Sequence, residues 1–295
     1  MVLAAASASS LPILVVGATG KQGGAVLRAL QALPNPPHLR ALSRNPDSPS
    51  ALKLKNQGIE VYKGDLTDRA SLEKALQGVQ SAFLVTMPTF KSSEVPEDTQ
   101  GINFVEAAKA SSLPYLVFTS VSDATPTCTV PHFETKARVE EALKESGIPH
   151  TVVAPVAFMD NFPKQSGFAT AMAMGLFDAA LKGRELQLVA VDDIGHVAAQ
   201  ALASPSAYAG RHIKLAGDSL TMRQVKSIYS RVENKSAWKA WLPGFVVNFL
   251  PYDFKMMMRF FHDKGYSADV AALRKEYPGL RTFEQWLREG EKKAE

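Results

Sequence analysis

Cysteine is nearly absent from this sequence, and its scarcity limits the chemistry expected of the protein. Of the 295 residues only Cys128 is a cysteine. One thiol cannot form an intramolecular disulfide or supply a multi-cysteine metal site. Cys128 also has no basic neighbour in the sequence to favour its thiolate, so we do not expect a catalytic thiol. Because this cysteine usage fits a reducing compartment, we expect a cytoplasmic protein, with the nucleus as an alternative location.

Long hydrophobic runs are also missing. No uncharged apolar run reaches the roughly 18 to 20 residues that span a bilayer. The nearest approach, Ala240 to Phe254, is interrupted by Pro243, Pro251 and Asp253. The first ten residues carry neither a basic segment nor a long apolar one, so we expect a frayed leader rather than a signal peptide. We therefore expect no membrane partner.

Charge of one sign is scarce as well. Lysine and arginine number 33 and the acidic residues 29, which gives a net charge of +4 spread along the chain. Such a balance does not favour nucleic acid as a partner. No histidine or carboxylate cluster has the spacing of a metal site, and we predict none. In the acidic stretch before His196 we expect Asp192 or Asp193 to cap the following helix.

Short apolar runs alternate with helical patterns up to about Pro155, which is typical of βαβ units. The pattern predicts strands at Ile13 to Val16, His38 to Leu42, Glu60 to Lys63, Ala82 to Val85, Tyr115 to Thr119 and His150 to Ala154. It predicts helices at Gly23 to Gln31, Ser71 to Gln77, Thr99 to Ala110 and Glu134 to Glu145, with Ser71 and Thr99 as N-caps. We therefore expect an α/β fold with a doubly wound parallel Rossmann sheet.

The pattern changes after Val156, and we expect a smaller, mainly helical C-terminal lobe there. We place the dinucleotide-binding core at residues 11–155 and a substrate or partner lobe at 156–295. Residues 172–177 are loosely patterned. Strands are expected at 186–189 and 213–216, and whether they return to the core sheet is left open. The lobe's methionines and aromatic residues fit a core better than a cleft.

The strongest motif is a glycine-rich turn between a buried strand and an apolar helix. Leu14 to Gly24 reads LVVGATGKQGG. Gly17 would permit the tight turn, Gly20 the approach of backbone N–H groups to a pyrophosphate, and Gly23 close packing of helix on strand. The glycine triplet alone is weak evidence, but its position in a strand-turn-helix unit predicts a dinucleotide site.

The end of the second strand lacks the acidic residue that would hold the ribose 2′-hydroxyl of NAD. The chain continues instead with Ser43, Arg44 and Asn45. The planar guanidinium of Arg44 suits a 2′-phosphate, with Ser43 or Ser48 as further donors. We therefore predict NADP(H), against the alternative that Arg44 is a solvated surface residue.

Two later strand ends also carry candidate cofactor residues. After the third strand, the carboxylate of Asp65 could accept a hydrogen bond from the adenine amino group, whereas Asp68 could equally cap the next helix. After the fourth strand, the backbone at Thr86 and Met87 would pass the ribose of the cofactor.

Four motifs together closely resemble the NmrA-like branch of the atypical short-chain dehydrogenases/reductases. They are GATGKQG at 17–23, LRALSRNP at 39–46, GDL at 64–66 and HFETK at 132–136. The resemblance covers roughly Ile13 to Ala216 and implies NADP(H) as cofactor. The contacts it implies are Gly17, Ala18, Thr19, Gly20, Lys21, Gln22, Gly23, Arg44, Asp65, Leu66, Thr86, Met87, Lys136, Phe158, Met159, Asp160 and Asn161, with Lys91 as a looser candidate.

The chain departs from the wider superfamily at its catalytic motif. Typical members carry Tyr-x-x-x-Lys, in which the tyrosine transfers a proton and the lysine holds the nicotinamide ribose. Here His132 stands in place of the tyrosine, four residues before Lys136. That spacing puts both on one face if the helix includes position 132, and a histidine can donate a proton near neutral pH. Alternatively, His132 only fills space at the helix start.

These observations favour an NADPH-dependent oxidoreductase that acts on a small apolar or aromatic carbonyl-type substrate, with Lys136 and His132 as catalytic residues. The family implied by the resemblance also contains members similar to redox sensors and transcriptional co-regulators. The second hypothesis is therefore a catalytically silent NADP(H) sensor that binds a regulatory protein partner. An enzyme needs an open pocket beside the nicotinamide, whereas a sensor needs an exposed partner patch.

Overall fold

The computed structural model of the protein describes residues 11–89 and 94–291. The N-terminal ten residues and Lys91, which the sequence analysis considered, lie outside these ranges. Within them the chain forms a large parallel sheet flanked by helices, with a second small sheet and a helical C-terminal region. The predicted fold class is confirmed.

Ten strands build the two sheets. They are β1 (Ile13–Val15), β2 (Leu39–Ser43), β3 (Glu60–Lys63), β4 (Ser81–Val85), β5 (Leu116–Thr119), β6 (His150–Pro155), β7 (Ala157–Phe158), β8 (Leu186–Val189), β9 (His212–Leu215) and β10 (Asp218–Leu220). The large sheet has the order β3-β2-β1-β4-β5-β6-β9, and its strand pairs are all parallel. The small sheet has the order β10-β8-β7.

The α-helices of the described chain are α1 (Lys21–Gln31), α2 (Pro49–Asn56), α3 (Arg69–Leu76), α4 (Glu97–Ala110), α5 (Pro131–Ser146), α6 (Phe168–Leu181), α7 (Val191–Ala203), α8 (Pro205–Tyr208), α9 (Met222–Val232), α10 (Tyr252–Asp263), α11 (Val270–Glu276) and α12 (Phe283–Glu291). Short 3-10 helices occur at Met159–Asn161 and Gly244–Phe249. No helix of the described chain combines the length and apolar character that a membrane crossing requires.

The large sheet is buried on both faces, and strand β1 shows why. Ile13 and Val15 pack into one hydrophobic cluster, whereas Leu14 and Val16 pack into another. Successive side chains of a strand point to opposite faces, so a continuous apolar run is what a strand covered on both sides requires. A helix layer on each face therefore holds the strand ends in fixed positions.

All four helices predicted for the core begin two or three residues earlier than predicted, and the predicted N-caps Ser71 and Thr99 are wrong. Helix α3 begins at Arg69 because the side chain of Asp68, not Ser71, accepts a hydrogen bond from the backbone N–H three residues on. Helix α4 begins at Glu97, after Pro96, with no side-chain cap, so Thr99 lies inside it. The alternative role considered for Asp68, a helix cap, is the one observed.

The predicted caps of helix α7 are also wrong. The N-cap position is Ala190, and the carboxylate that binds the first turn is remote: Asp160 Oδ2 accepts from Val191 N at 3.0 Å. Asp193 is buried and accepts from the backbone and guanidinium of Arg281. Burial raises the pKa of Asp193, although Arg281 opposes the rise. Asp193 therefore ties α7 to the chain before α12.

The C-terminal lobe contains more regular structure than its sequence pattern suggested. The loosely patterned residues 172–177 lie within helix α6, which is apolar on most of its circumference and packs in the lobe core. The two strands predicted at 186–189 and 213–216 join different sheets. Strand β9 joins the edge of the large sheet beside β6, whereas β8 pairs with β7 and β10 in the small sheet. The chain thus crosses from lobe to core and back.

Candidate functional site

The candidate site lies along the edge of the large sheet where the parallel strands β1 to β5 end. The strand order reverses between β1 and β4, and ligands of open α/β sheets bind outside such a reversal. Neighbouring strand ends are joined by hydrogen bonds, such as Gly64 N to Ser43 O at 3.0 Å. The glycine-rich turn, Arg44, Asp65, Thr86 and the residues after β5 consequently share one edge.

The glycine-rich turn has the shape that an anion-binding loop requires. Gly17 has φ +66°, and a Cβ on Gly23 would lie 2.3 Å from Gly17 O, so neither position accepts a side chain without displacement. Helix α1 starts at Lys21 after Gly20, which offers no side-chain cap. Thr19, Gly20 and Lys21 are exposed. The first turn of α1 therefore presents uncapped backbone N–H groups to a phosphate, and the loop fits a dinucleotide.

Two residues of this loop attach it to the Rossmann core. Ala18 is 3% exposed and lies in the hydrophobic core. Gln22 Oε1 accepts a hydrogen bond from Thr119 Oγ1 at 2.8 Å, which links the loop to the end of β5. The loop is thereby fixed against the strand that leads to the opposite end of the site.

Arg44 lies where the sequence analysis placed it, immediately after β2. It is exposed and forms no ion pair with any residue of the described chain. The two serines considered as further donors are engaged locally: Ser43 Oγ donates to Asn45 O at 3.0 Å, and Ser48 caps α2. The guanidinium of Arg44 is accordingly a cationic group of this turn that is not engaged by any of the described residues.

Asp65 and Leu66 follow β3 at the same edge. One oxygen of Asp65, Oδ1, accepts from the backbone N–H and the hydroxyl of Thr67, both at 2.9 Å. The carbonyl of Leu66 accepts from Asn103 Nδ2 at 3.0 Å. The turn is held by these bonds, and Asp65 retains a second carboxylate oxygen for an amino group.

Lys136 lies at the other end of the site in a buried polar network. Its ammonium donates to Thr86 O at 3.0 Å and Thr86 Oγ1 at 2.9 Å, and it pairs with Glu97 Oε1 at 2.9 Å. Lys136 is 7% exposed and Glu97 only 1% exposed. The structure therefore brings Lys136 and Thr86, which the sequence analysis named, into direct contact. Both also bind Glu97, which the sequence analysis did not name.

Glu97 organises this network. Its Oε1 also accepts from Thr86 Oγ1 at 2.8 Å, and its Oε2 accepts from Thr135 Oγ1 at 2.7 Å. A buried carboxylate requires such compensation because burial disfavours the charged form. No motif signals Glu97 in the sequence, since it becomes a site residue only when the first turn of α4 packs against α5.

His132 lies in the first turn of helix α5, which begins at Pro131, so it shares a helix with Lys136 as the four-residue spacing required. Its Nδ1 lies 2.8 Å from Asp253 Oδ1, and its backbone N–H donates to the same oxygen at 3.2 Å. Asp253 belongs to α10 of the C-terminal lobe. The sequence analysis noted Asp253 only as an interruption of an apolar run.

The remaining predicted contacts differ in accessibility. Met87 follows β4 and is 73% exposed. Phe158 is partly exposed at the end of β7 and Asn161 is exposed, but the Met159 side chain is buried in the lobe core. Asp160 is bound to the start of α7. Met159 and Asp160 thus hold this segment in place, and only its flanking residues present side chains outward.

Comparison with known proteins relates this chain to oxidoreductases. The chain is 30% identical over 228 residues to a quinone oxidoreductase 2 of Escherichia coli strain K12, covering 76% of this chain and 75% of that protein. It is 32% identical over 195 residues to an NAD(P)H azoreductase of Xenophilus azovorans, covering 65% of this chain and 64% of that protein. Both relatives are named as reducing enzymes.

Solved structures share the fold at lower identity. A Citrobacter triphenylmethane reductase complexed with NADP(H) aligns with TM-score 0.75 and 22% identity, covering 94% of this chain and 99% of that one. Nmra, a negative transcriptional regulator, aligns with TM-score 0.72 and 22% identity, covering 95% of each. The model of the NmrA-like family matches residues 10–287. The resemblance seen in the motifs is therefore confirmed, and the chain belongs to the NmrA-like family.

Proposed function

We propose that the protein is an NADPH-dependent oxidoreductase that reduces a small apolar or aromatic carbonyl-type acceptor. The observation that carries the proposal is the pairing of an uncapped glycine-rich loop with the buried Lys136 and Glu97 network along one sheet edge. The relatives named quinone oxidoreductase and azoreductase support a reductase with a planar, apolar substrate. NADPH, when bound, would supply the hydride.

The residues along the edge divide the binding of the cofactor among them. The first turn of α1 would hold the pyrophosphate, Arg44 the 2′-phosphate and Asp65 the adenine amino group. Met87 and Phe158 would border the opposite end as apolar side chains. Each role uses a group that the chain leaves accessible, which is why we assign it there.

Lys136 would fix the nicotinamide ribose, and its surroundings define how. All three N–H groups of its ammonium already have acceptors, two of them on Thr86. A ribose hydroxyl would therefore replace a Thr86 acceptor, while Glu97 remains the partner of the buried ammonium. His132, one helical turn earlier, would supply the proton that the acceptor needs.

The proposal is tested by calorimetry with NADPH, followed by the loss of reduced-nicotinamide absorbance with aromatic aldehydes, quinones and enones. Lys136→Ala should reduce turnover at least about 100-fold, because the proton-transfer and positioning groups of such sites contribute 10² to 10⁴. Lys144→Ala, an exposed residue of the same helix, is the matched control and should retain full activity. Equal activity of the two variants would contradict the role of Lys136.

A second function, a catalytically silent sensor, is favoured by one specific observation. Large exposed side chains concentrate in one stretch of the lobe, where Trp241 and Phe249 are 84% and 82% exposed. Exposed apolar surface of this kind is typical of partner contacts. The sensor would bind NADPH tightly, show no turnover with the acceptor panel, and change its tryptophan fluorescence on binding. Turnover lost in Lys136→Ala would exclude a purely silent role.

A further inference from the structure

The contact between His132 and Asp253 joins the Rossmann core to the lobe through two ionisable side chains. The His132 ring and the Asp253 carboxylate are largely buried, with side-chain exposures of 20% and 15%. The Nδ1 atom lies 2.7 Å from Oδ2 and 2.8 Å from Oδ1, so either oxygen can accept its proton. Within the described chain the other ring nitrogen, Nε2, has no hydrogen-bond partner. Nδ1 is thus bound to Asp253, whereas Nε2 has no partner among the described residues.

The same carboxylate also completes the start of helix α5. The N-cap residue Val130 offers no side-chain cap, and Pro131 has no N–H to donate. The first backbone donor of the helix is therefore His132 N, which is bound by Asp253 Oδ1. Asp253 consequently fixes both the backbone and the ring of His132, which leaves the imidazole little freedom to turn.

We propose that Asp253 is a positioning residue that binds the Nδ1–H group of His132 and fixes the orientation of the ring, so that Nε2–H serves as the proton donor. The proposal deepens the proposed function and rests on it for the identity of the reaction. It assigns part of the proton-transfer machinery to the C-terminal lobe, since α10 must be docked for the pair to exist.

The chemistry balances with one proton. The hydride comes from NADPH, the reductant of the proposed function, which is oxidised to NADP⁺. As the carbonyl carbon of the acceptor receives this hydride, the electron pair of its π bond moves to oxygen. The Nε2–H bond breaks, its electrons remain on Nε2, and the proton forms the O–H bond of the alcohol. His132 is left neutral with its proton on Nδ1, bound to Asp253, and Nε2 regains a proton from water.

The other charges near His132 do not substitute for Asp253. Lys136, one turn along α5, is paired with Glu97 of α4, so their charges largely cancel. Glu134 accepts from Thr129 N at 2.9 Å and is directed to that loop. The edge of the neighbouring Phe133 ring contacts the imidazole and carries no charge. Asp253 is therefore the carboxylate in contact with the ring.

The kinetic constants of Asp253 variants test its role. In Asp253→Asn the uncharged amide holds the Nδ1–H group less firmly than the carboxylate, so kcat should fall about tenfold while KM for the acceptor changes little. Asp253→Glu, which retains the carboxylate, should restore most of kcat. An unchanged kcat in Asp253→Asn would overturn the proposal.

Helix α10 provides a matched control in Asp263→Asn. Asp263 also bonds a histidine, His262 Nδ1 at 2.7 Å, but it lies at the exposed end of the helix. This variant should retain the wild-type kcat and KM. If both asparagine variants lower kcat equally, with equal losses of thermal stability, Asp253 acts only by holding the lobe and the proposal fails.

An NMR measurement, which needs no turnover, tests the positioning role of Asp253 independently of the proposed oxidoreductase function. Imidazole ¹⁵N shifts of His132, assigned with a His132→Gln variant, should show Nδ1 protonated in the wild type and a weaker preference for that tautomer in Asp253→Asn. This result in a protein that turns over no acceptor would refute the oxidoreductase and leave the Asp253 contact standing. A neutral ring protonated on Nε2 would refute the positioning role whatever the activity.

Discussion

The two ends of the sheet edge, which we propose to hold the adenine and the nicotinamide and name accordingly, are built in opposite ways. At the adenine end, Arg44 is solvent-exposed and lacks an ion pair with the described residues, and Asp65 lies in a short turn. At the nicotinamide end, Lys136 and Glu97 form a buried pair that four hydroxyl and carbonyl contacts complete. The adenine end is made of the Rossmann core alone, whereas the lobe contributes Asp253 to the other.

This difference suits the two ends to different roles, cofactor selection at the adenine end and catalysis at the nicotinamide end. An exposed cation can select a cofactor because its charge is free to pair with a phosphate, and its loss leaves the fold intact. A buried pair holds a charged ammonium where water cannot screen it, but removing either partner leaves an uncompensated charge. We therefore expect substitutions at the adenine end to change selectivity, and substitutions at the nicotinamide end to change stability as well as turnover.

The largest effect is expected from Glu97→Gln. This change leaves the Lys136 charge buried without its negative partner, because an amide oxygen accepts a hydrogen bond but carries no charge, and breaking a buried pair typically costs about 3 to 5 kcal/mol. Urea unfolding should show that loss in the free energy of unfolding, together with reduced turnover.

Glu60→Gln is the control at the adenine side of the sheet. Glu60 pairs with Arg40 at 2.8 Å but is about a third exposed, so a loss of less than about 1 kcal/mol is expected. Similar losses in the two variants would remove the energetic distinction between the two ends.

A smaller and more selective effect is expected from Arg44→Glu. The substitution removes the partner of the 2′-phosphate and adds repulsion, so NADPH affinity should fall about 100-fold, consistent with roughly 3 kcal/mol for hydrogen bonds to a charged group. NADH affinity should hold or improve, reversing the preference. Calorimetry with NADPH and NADH measures this preference.

The matched control is Lys53→Glu in α2, which changes another exposed residue and should leave the preference for NADPH unchanged. Unchanged selectivity in Arg44→Glu would reject Arg44 as the residue that selects the cofactor.

The fold and the adenine end follow closely from the sequence because both depend on local patterns. The strand β3 was predicted at its observed bounds, and the glycine-rich turn occupies the predicted strand-to-helix position. Arg44 could be named because its place after β2 is fixed by chain order. Short-range signals of this kind, a glycine at positive φ or an apolar run, act within a few residues.

The nicotinamide end could be predicted only in part because its partners are distant in the chain. Lys136 was named, but Glu97 lies 39 positions earlier and Asp253 is 121 positions after His132. Carboxylates are common on surfaces, so neither residue differs from a solvated one until the helices pack. The same holds for Asp160, which binds the start of α7 across 31 positions in place of the local aspartates.

Apart from the controls, the smallest expected effect concerns Asp123, which follows β5 and bonds to Lys214 and Ser267. Burial alone would raise its pKa, but hydrogen bonds from Lys214, Ser267 and Ser122 outweigh burial and lower the pKa to about 2. Lys214 Nζ lies 2.6 Å from Oδ1, and Ser267 N donates to Oδ2 at 2.9 Å. These bonds connect the strand end to β9 and to the chain after α10.

Because the folded pKa is depressed, the stabilisation by Asp123 is present above about pH 4 and is lost as the pH falls toward 2. Asp123→Asn keeps a residue that tolerates the observed φ of +61° and should lower stability at pH 7 by about 1 to 2 kcal/mol. The gap to wild type should close at acid pH in thermal melts. Asp47→Asn, whose side chain is 86% exposed at the adenine end, should show no such gap. A pH-independent deficit in Asp123→Asn would mean that shape, not charge, joins the lobe to this strand.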